Sequence, residues 1–171
     1  NPKDDMFGNT IITINVSDGV ETVSQQFEIT VNSVNDAPVL GINNDVTTNE
    51  DELIEIPLIA TDVDGDDITF EILSDVDSGT LSLSGAIVSY NPILNYNGSV
   101  NFTFVAKDDS ELFSSEKTIN ITINAVNDSP ELDSVADVTF NEDDSESISL
   151  IANDVEDGDE SSLTFSITDG S

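Results

Sequence analysis

Two segments of this chain return almost unchanged at a constant distance along the sequence. Val-Asn-Asp-Ala-Pro at residues 34–38 returns as Val-Asn-Asp-Ser-Pro at residues 126–130, and Asn-Glu-Asp at residues 49–51 returns at residues 141–143. Both displacements are 92 residues. Because separate segments share one displacement, they mark a duplicated structural unit. The chain is therefore predicted to fold as repeats of one small domain.

A second alignment sets the phase of the repeat. The opening Asn-Pro pair matches Asn91-Pro92, and residues 8–18 match residues 98–108, now at a displacement of 90. The first residues thus correspond to the back of a repeat. The predicted parts are the C-terminal half of a repeat at residues 1–35, a complete repeat at residues 36–127 and the N-terminal half of the next repeat at residues 128–171. This division predicts a segment of a longer tandem array.

Apolar residues alternate with polar ones along most of the chain, which predicts strands and no sustained helix. The clearest runs are residues 54–58, 68–72, 100–106 and 119–123. Such runs send one face to a core and the other to water. With a first strand over residues 39–46 and turns rich in Asp and Gly, the complete repeat offers about seven short strands. The predicted fold class is all-β, with tandem immunoglobulin-like sandwiches of about seven strands per repeat.

The charge of the chain limits its partners. Thirty-six Asp and Glu residues against 3 Lys give a formal net charge of −33. Such a charge disfavours nucleic acid, anionic membrane and a compact state unless cations neutralise it. The chain has no cysteine for disulfides, and it has no apolar stretch near the roughly 20 residues that span a bilayer. We predict no nucleic-acid partner and no membrane insertion of this segment.

The chain contains few residues of the types that catalyse reactions. The chain has neither His nor Cys, so the usual triads and thiol nucleophiles are excluded. A carboxylate pair for glycoside hydrolysis is compatible with the composition, but the acids fall at predicted repeat ends. The loop from Tyr90 to Gly98 is either a sugar-binding platform or an element packed on its own sandwich, and we predict the second. No enzyme and no catalytic residue is predicted.

Carboxylates and amides recur at the ends of the apolar segments, where repeats should join. Calcium takes six to eight oxygen ligands in a tolerant geometry, whereas zinc prefers His or Cys. The sequence therefore predicts calcium at the junctions. A lone acid pair is common on any soluble surface, so the prediction depends on the order and recurrence of the set. The acids without such support are predicted to be solvated surface residues: Asp4, Asp5, Asp75, Asp77 and Glu111.

In their order, three motifs resemble the calcium motifs of cadherin repeats: residues 60–66, 106–109 and 126–130. Asn-Glu-Asp at residues 49–51 stands where cadherins carry an early Glu motif. The whole chain resembles most the cadherin-like tandem repeats of large bacterial surface and secreted proteins. One motif differs, because cadherins carry Asp-Arg-Glu in mid-repeat, whereas residues 87–92 offer little acid. Each junction is therefore expected to hold fewer ions than in cadherins.

The resemblance implies metal ligands at two junctions. The expected ligands of the first are Asn35, Asp36, Asp62, Asp64 and Asp108. The expected ligands of the second are Glu50, Asn127, Asp128, Asp154 and Glu156 or Asp157. Asp18, the counterpart of Asp108, would belong to a junction upstream.

These observations predict a non-catalytic, calcium-rigidified extender or adhesion repeat of a large bacterial extracellular protein. Its expected partners are calcium and the neighbouring repeats of the same chain. The two half-repeats are also expected to pair between molecules as a swapped homo-oligomer. The alternative function is a recognition module for a polysaccharide or a cell-surface protein, attached to a secreted enzyme or adhesin.

Overall fold

The computed structural model describes residues 3, 5–42, 44–155 and 163–168, which form strands and loops without a helix. Among these residues, none lies in a helix long and apolar enough to cross a membrane. The all-β prediction is confirmed. The strands are β1 (Gly8–Ser17), β2 (Thr22–Val31), β3 (Val39–Leu40), β4 (Val46–Asn49), β5 (Ile54–Pro57), β6 (Ala60–Thr61), β7 (Thr69–Ser74), β8 (Thr80–Ser84), β9 (Ile87–Asn91), β10 (Gly98–Lys107), β11 (Lys117–Asn124), β12 (Glu131–Leu132) and β13 (Ala152–Asn153).

Strands β3 to β11 form an immunoglobulin-like sandwich, as predicted. One sheet has the strand order β4-β11-β10-β7, the other has β5-β9-β8, and β3 pairs with β6. The prediction of a single strand over residues 39–46 was wrong. Two separate strands form there, because β3 is antiparallel to β6 whereas β4 runs parallel to β11. Asp45, just before β4, links the start of β4 to β11, since its carboxylate accepts the backbone N–H of Asn120 at 2.9 Å.

The core lies between the two sheets and follows the alternation of the sequence. In β11, Ile119, Ile121 and Ile123 are buried while the residues between them are exposed. Tyr90 is fully buried, and its hydroxyl donates to the carbonyl oxygen of Ser78 at 3.1 Å. Tyr96 also packs against the core, so the structural role predicted for this loop is confirmed.

The backbone repeats itself where the sequence does. The hairpin β1–β2 pairs Gly8 with Val31, and β10–β11 pairs Gly98 with Ile123 in the same register. Likewise β3–β6 and β12–β13 are equivalent two-residue ladders. The duplicated sequence thus builds duplicated local structure.

Candidate metal centre

The first linker, residues 32–38, contacts two loops at one end of the sandwich. The side-chain amide of Asn35 donates to Asp108 Oδ2 at 2.8 Å. One residue later, the backbone N–H of Asp36 donates to Asp64 Oδ2 at 2.8 Å. The structure therefore brings together residues that are 28 and 73 positions apart in the sequence.

Asp62 completes the set of ligands predicted for the first junction. Its Oδ1 accepts the backbone N–H of Asp64 at 2.8 Å, in a loop that turns at Gly65 with φ of +84°. Its Oδ2 is buried and has no hydrogen-bond partner among the described residues. A buried carboxylate oxygen without a donor is costly unless a cation compensates it. All five residues predicted for the first junction therefore lie near one another. The Oδ2 atom of Asp62 is a suitable ligand for a cation.

Asp108 is only 2% exposed and accepts the hydrogen bond from the Asn35 amide. Burial by itself raises the pKa of Asp108, but hydrogen bonds from the Asn35 amide and from the backbone N–H groups of Leu112 and Ser110 outweigh it. The net pKa is lowered. Asp108 thus remains an ionised carboxylate inside the junction.

Three further acids, which the sequence analysis missed as ligands, lie at the same junction. Burial, followed by the charges of Asp5, Asp64 and Asp62, raises the pKa of Asp36, and Asp5 is also in hydrogen-bond contact with it. Asp5 is exposed, as predicted, but it is not isolated on the surface.

Asp66 and Asp109 are the other two acids that the sequence analysis missed. Burial and the neighbouring charge of Asp109 raise the pKa of Asp66, and the two side chains share a hydrogen bond. Together with Asn35 and Asp64 they line a surface cleft of about 270 Å³. The adjacency of Asp109 to Asp108 was a signal for one of them. Asp5 had no such signal in the sequence; in the structure it shares a φ near +60° with its repeat counterpart Asn95.

At the second junction, Glu50 lies against the second linker. Glu50 is 5% exposed, and its backbone N–H donates to the carbonyl of Asn124 at 2.9 Å. Its Oε1 accepts the backbone N–H of Val126 at 2.5 Å. The carboxylate therefore holds the second linker at its first residues.

The other ligands predicted there are only partly brought together. The Asn127 amide donates to the Asp128 carbonyl, as the Asn35 amide donates to the Asp36 carbonyl. Asp128 and Asp154 line one cleft of about 500 Å³, which Asn95 also lines. Glu50 is not among its lining residues, and the predicted ligands Glu156 and Asp157 lie outside the described residues.

Asp18, assigned to an upstream junction, lies in the turn between β1 and β2. Its Oδ1 accepts the backbone N–H groups of Val20 and Glu21 at 2.9 and 2.8 Å. These hydrogen bonds lower the pKa of Asp18. Its carboxylate therefore stabilises the turn.

The donor set can be tested against the metal that the sequence predicts. Within residues 3, 5–42, 44–155 and 163–168, no three carboxylates already stand in the arrangement of a metal site. The groups present at the first linker nevertheless fit calcium, because carboxylates and one amide supply only oxygen ligands and Asp62 Oδ2 is buried without a donor. The sequence offers no His or Cys to favour zinc.

A family model described as a bacterial Ig domain matches residues 35–123. The chain belongs to this family. In this bacterial Ig domain, the matched region runs from the first linker through most of β11 and contains nearly all of the sandwich. The family prediction made from the sequence is thereby confirmed.

Solved structures show the same architecture. The chain is similar to Drosophila N-cadherin EC1-4, with 16% identity, a TM-score of 0.54 and coverage of 91% of this chain and 43% of that one. It is equally similar to mouse protocadherin-24 EC1-3, with 18% identity, a TM-score of 0.54 and coverage of 91% and 58%. The chain thus spans about half the length of these ectodomain structures. At such identities the likeness shows the fold alone.

A weaker likeness joins the chain to an endo-fucoidan hydrolase of glycoside hydrolase family 107. The identity is 26%, the TM-score is 0.34, and coverage is 70% of this chain and 19% of that one. This TM-score is too low to indicate a shared activity. A search of curated protein sequences finds no match to this chain.

Proposed function

We propose that this chain is a calcium-rigidified extender segment of a large extracellular bacterial protein, without catalytic activity. One observation carries the proposal. Asn35 and Asp36 of the first linker are hydrogen-bonded to Asp108 and Asp64 of the sandwich, beside the buried, unpartnered oxygen of Asp62. The linker is thus already docked on a group of carboxylates that has the chemistry of a calcium site.

The residues that would hold calcium come from both sides of the linker. Asp5 precedes β1, Asp36 belongs to the linker itself, and Asp62, Asp64 and Asp108 belong to the sandwich. Calcium, when bound, supplies positive charge that these oxygens share. Asn35 would then have to present its amide oxygen, since its N–H group now faces Asp108.

The electrostatics of the junction explain why a cation would change its mechanics. Burial and, after it, neighbouring carboxylates raise the pKa of Asp36 and of Asp66, and the contributions of Asp5, Asp64 and Asp62 at Asp36 indicate like-charge repulsion across the linker. Neutralising that repulsion favours one orientation of the linker over many. The carboxylates of the junction therefore make the stiffness of the linker depend on calcium. The linker is stiff when calcium is bound and flexible when it is absent.

The proposed division into half, complete and half repeats is supported by the equivalent ladders of β1–β2 with β10–β11 and of β3–β6 with β12–β13. The extracellular location is supported by the bacterial Ig family. Extracellular calcium modules typically bind at about 10⁻⁴ to 10⁻³ M. Such sites would fill outside the cell and remain empty in the cytosol.

The alternative is recognition of a polysaccharide or a cell-surface protein. Tyr90 is fully buried and Tyr96 is partly buried against the sandwich core, so these two rings do not form an open aromatic platform. A spacer role requires no such platform.

The proposal predicts that calcium narrows the range of orientations at the first linker. Since the chain contains no cysteine, Glu28→Cys in β2 and Ser82→Cys in β8 can be spin-labelled selectively. Both positions are exposed. We expect a narrow distribution of label-to-label distances with calcium and a broad one with a chelator, measured by pulsed electron paramagnetic resonance.

The control pair lies within the sandwich, at Ser82→Cys and Thr122→Cys. Both positions are exposed on strands of opposite sheets, so their distance distribution should be the same with and without calcium. An equally broad distribution across the linker under both conditions would contradict the rigidification.

A further inference from the structure

The loop between β9 and β10, residues 92–97, is held by a carboxylate that lies far away in the sequence. Asp51 Oδ1 accepts the backbone N–H of Asn95 at 2.9 Å, across 44 positions. Both residues have a left-handed backbone, with φ of +60° at Asp51 and +58° at Asn95. Asp and Asn adopt that conformation more readily than most residues with a side chain. The hydrogen bond therefore joins two turns whose residue types suit their geometry.

The residue before Asp51 holds the second linker in the same manner. Glu50 Oε1 accepts the backbone N–H of Val126, which lies 76 positions away. Two consecutive carboxylates thus bind the backbones of two different segments. We name the turn that carries them, residues 49–52, the clamp turn. It connects the second linker to the loop of residues 92–97.

The clamp turn is repeated in the next unit. The Asn49 side-chain amide donates to Glu52 Oε2 at 3.3 Å, and 92 positions later the Asn141 amide donates to Asp144 Oδ2 at 3.1 Å. The third residue of both turns is an Asp with positive φ, +60° in the first copy and +70° in the second. The closing hydrogen bond and the left-handed Asp are therefore kept in both copies.

The loop that the clamp turn holds forms one wall of the second junction. Asn95 lines the cleft of about 500 Å³ together with Asp128 of the linker and Asp154 of the following unit. At the first junction, the repeat counterpart of Asn95 is Asp5, which likewise lines a cleft together with the linker residue Asp36. The position of this loop therefore affects the shape of each cleft.

We propose that Asp51 is a positioning residue of the second junction, which fixes Asn95 at the cleft before calcium binds and thereby raises the calcium affinity. This inference rests on the proposed function, since it concerns the same ion. Asp51 is not among the described residues that line the cleft, so it acts through the loop. A wall that is already in place loses less conformational entropy when a ligand binds. Glu50 fixes the linker side of the junction, and Asp51 fixes the loop side.

Nuclear magnetic resonance of the full chain, titrated with calcium, tests the inference at each junction separately. The amide signals of Ser129 and Asn153, which line the second cleft, report on the second junction. The amide of Gly65 follows Asp64 and reports on the first. Asp51→Ala should raise the calcium concentration at half-saturation of the second junction roughly tenfold, as the loss of groups that orient metal ligands typically does. The first junction should keep its wild-type value.

Two control variants separate the hydrogen bond from the charge. Asp51→Asn loses the same charge as Asp51→Ala, but its side-chain oxygen can still accept the Asn95 N–H. We expect it to restore a calcium affinity near the wild-type value. Glu55→Ala removes one charge from an exposed position of β5 and should leave both junctions unchanged.

Hydrogen exchange in the presence of a chelator supplies a readout that needs no calcium. The Asn95 amide should be protected in the wild-type chain and in Asp51→Asn, because both offer an acceptor oxygen. It should exchange faster in Asp51→Ala. Equal protection in all three chains would show that Asp51 does not hold the loop and would overturn the inference.

The calcium titration can also overturn it. An Asp51→Ala variant with a wild-type response at the second junction would refute the positioning role and leave the proposed function intact. Equal losses of affinity in Asp51→Ala and Asp51→Asn would refute it too, since charge alone would explain them. So would an equal loss at both junctions, which would reflect general damage to the fold. If neither junction of the wild-type chain responded to calcium, the proposed function itself would fail, and this inference with it.

Discussion

The double variant Asp62→Asn/Asp64→Asn is expected to lose the calcium-dependent rise in melting temperature of the sandwich. A ligand that binds only the folded state stabilises it by mass action, and at a calcium concentration 100 times Kd the rise should be roughly 10 to 20 °C for a domain of this size. The change keeps the shape of both side chains. It also keeps the oxygen of residue 62 that accepts the N–H of residue 64. Thermal unfolding followed by circular dichroism measures the effect.

The same variant has the opposite effect in a chelator. Two fewer charges beside Asp36 and Asp66 relieve the like-charge repulsion that, after burial, raises the pKa of those carboxyls. Without calcium, the variant should therefore melt at the same temperature as wild type or higher. A crossover of this kind separates a calcium site from general damage to the fold.

The chain offers a matched control with the same spacing. Asp75 and Asp77 are also two residues apart and both are exposed, but their charges are not among those that raise the pKa of Asp36 or Asp66. Asp75→Asn/Asp77→Asn should retain the full response to calcium. If this control lost as much of the response as the junction variant, the effect would reflect net charge and the assigned ligands would be wrong.

The variant Phe102→Ala is expected to lower the free energy of unfolding by about 3 to 5 kcal/mol. Phe102 is fully buried, paired with Ile119 across β10–β11, and its ring centroid lies 6.0 Å from that of Phe104. Removing the ring leaves a cavity among fully buried neighbours such as Phe104 and Ile119. Since domains of this size are stable by about 5 to 15 kcal/mol, chemical denaturation should show a large loss.

Phe27→Ala is the control for this prediction. Phe27 is the repeat counterpart of Ile119, but it is 46% exposed. In dilute solution the change should cost no more than about 1 kcal/mol. Equal losses in the free energy of unfolding for both variants would mean that Phe27 and Phe102 contribute equally to stability. That result would contradict the difference in their burial.

The sandwich could be predicted from the sequence because its strands carry their own signal. The alternation in β10 and β11 appears directly as buried and exposed positions. The division between β3 and β4 could not be predicted, since it arises from the parallel pairing of β4 with β11, which lies some seventy residues further along the chain. Apolar alternation alone also does not make a strand. Residues 163–168 alternate, but they have no hydrogen-bonded partner strand among the described residues.

The residues of the candidate site also divide into those that the sequence predicted and those that it missed. The ordered motifs predicted that Asn35, Asp62 and Asp108 would meet, although they are far apart in sequence. Asp5 was missed because the acid does not recur in the next repeat, where Asn95 stands, and only the backbone geometry shared with Asn95 reveals the position. Such residues are brought to the site by tertiary packing, which local sequence does not encode.

Calcium titration of the wild-type chain by isothermal calorimetry tests the central claim most directly. We predict saturable binding with a Kd of about 10⁻⁴ to 10⁻³ M or tighter, which Asp62→Asn/Asp64→Asn weakens and Asp75→Asn/Asp77→Asn does not. Absence of saturable binding up to several millimolar calcium would contradict the account and leave the acids as a solvated surface.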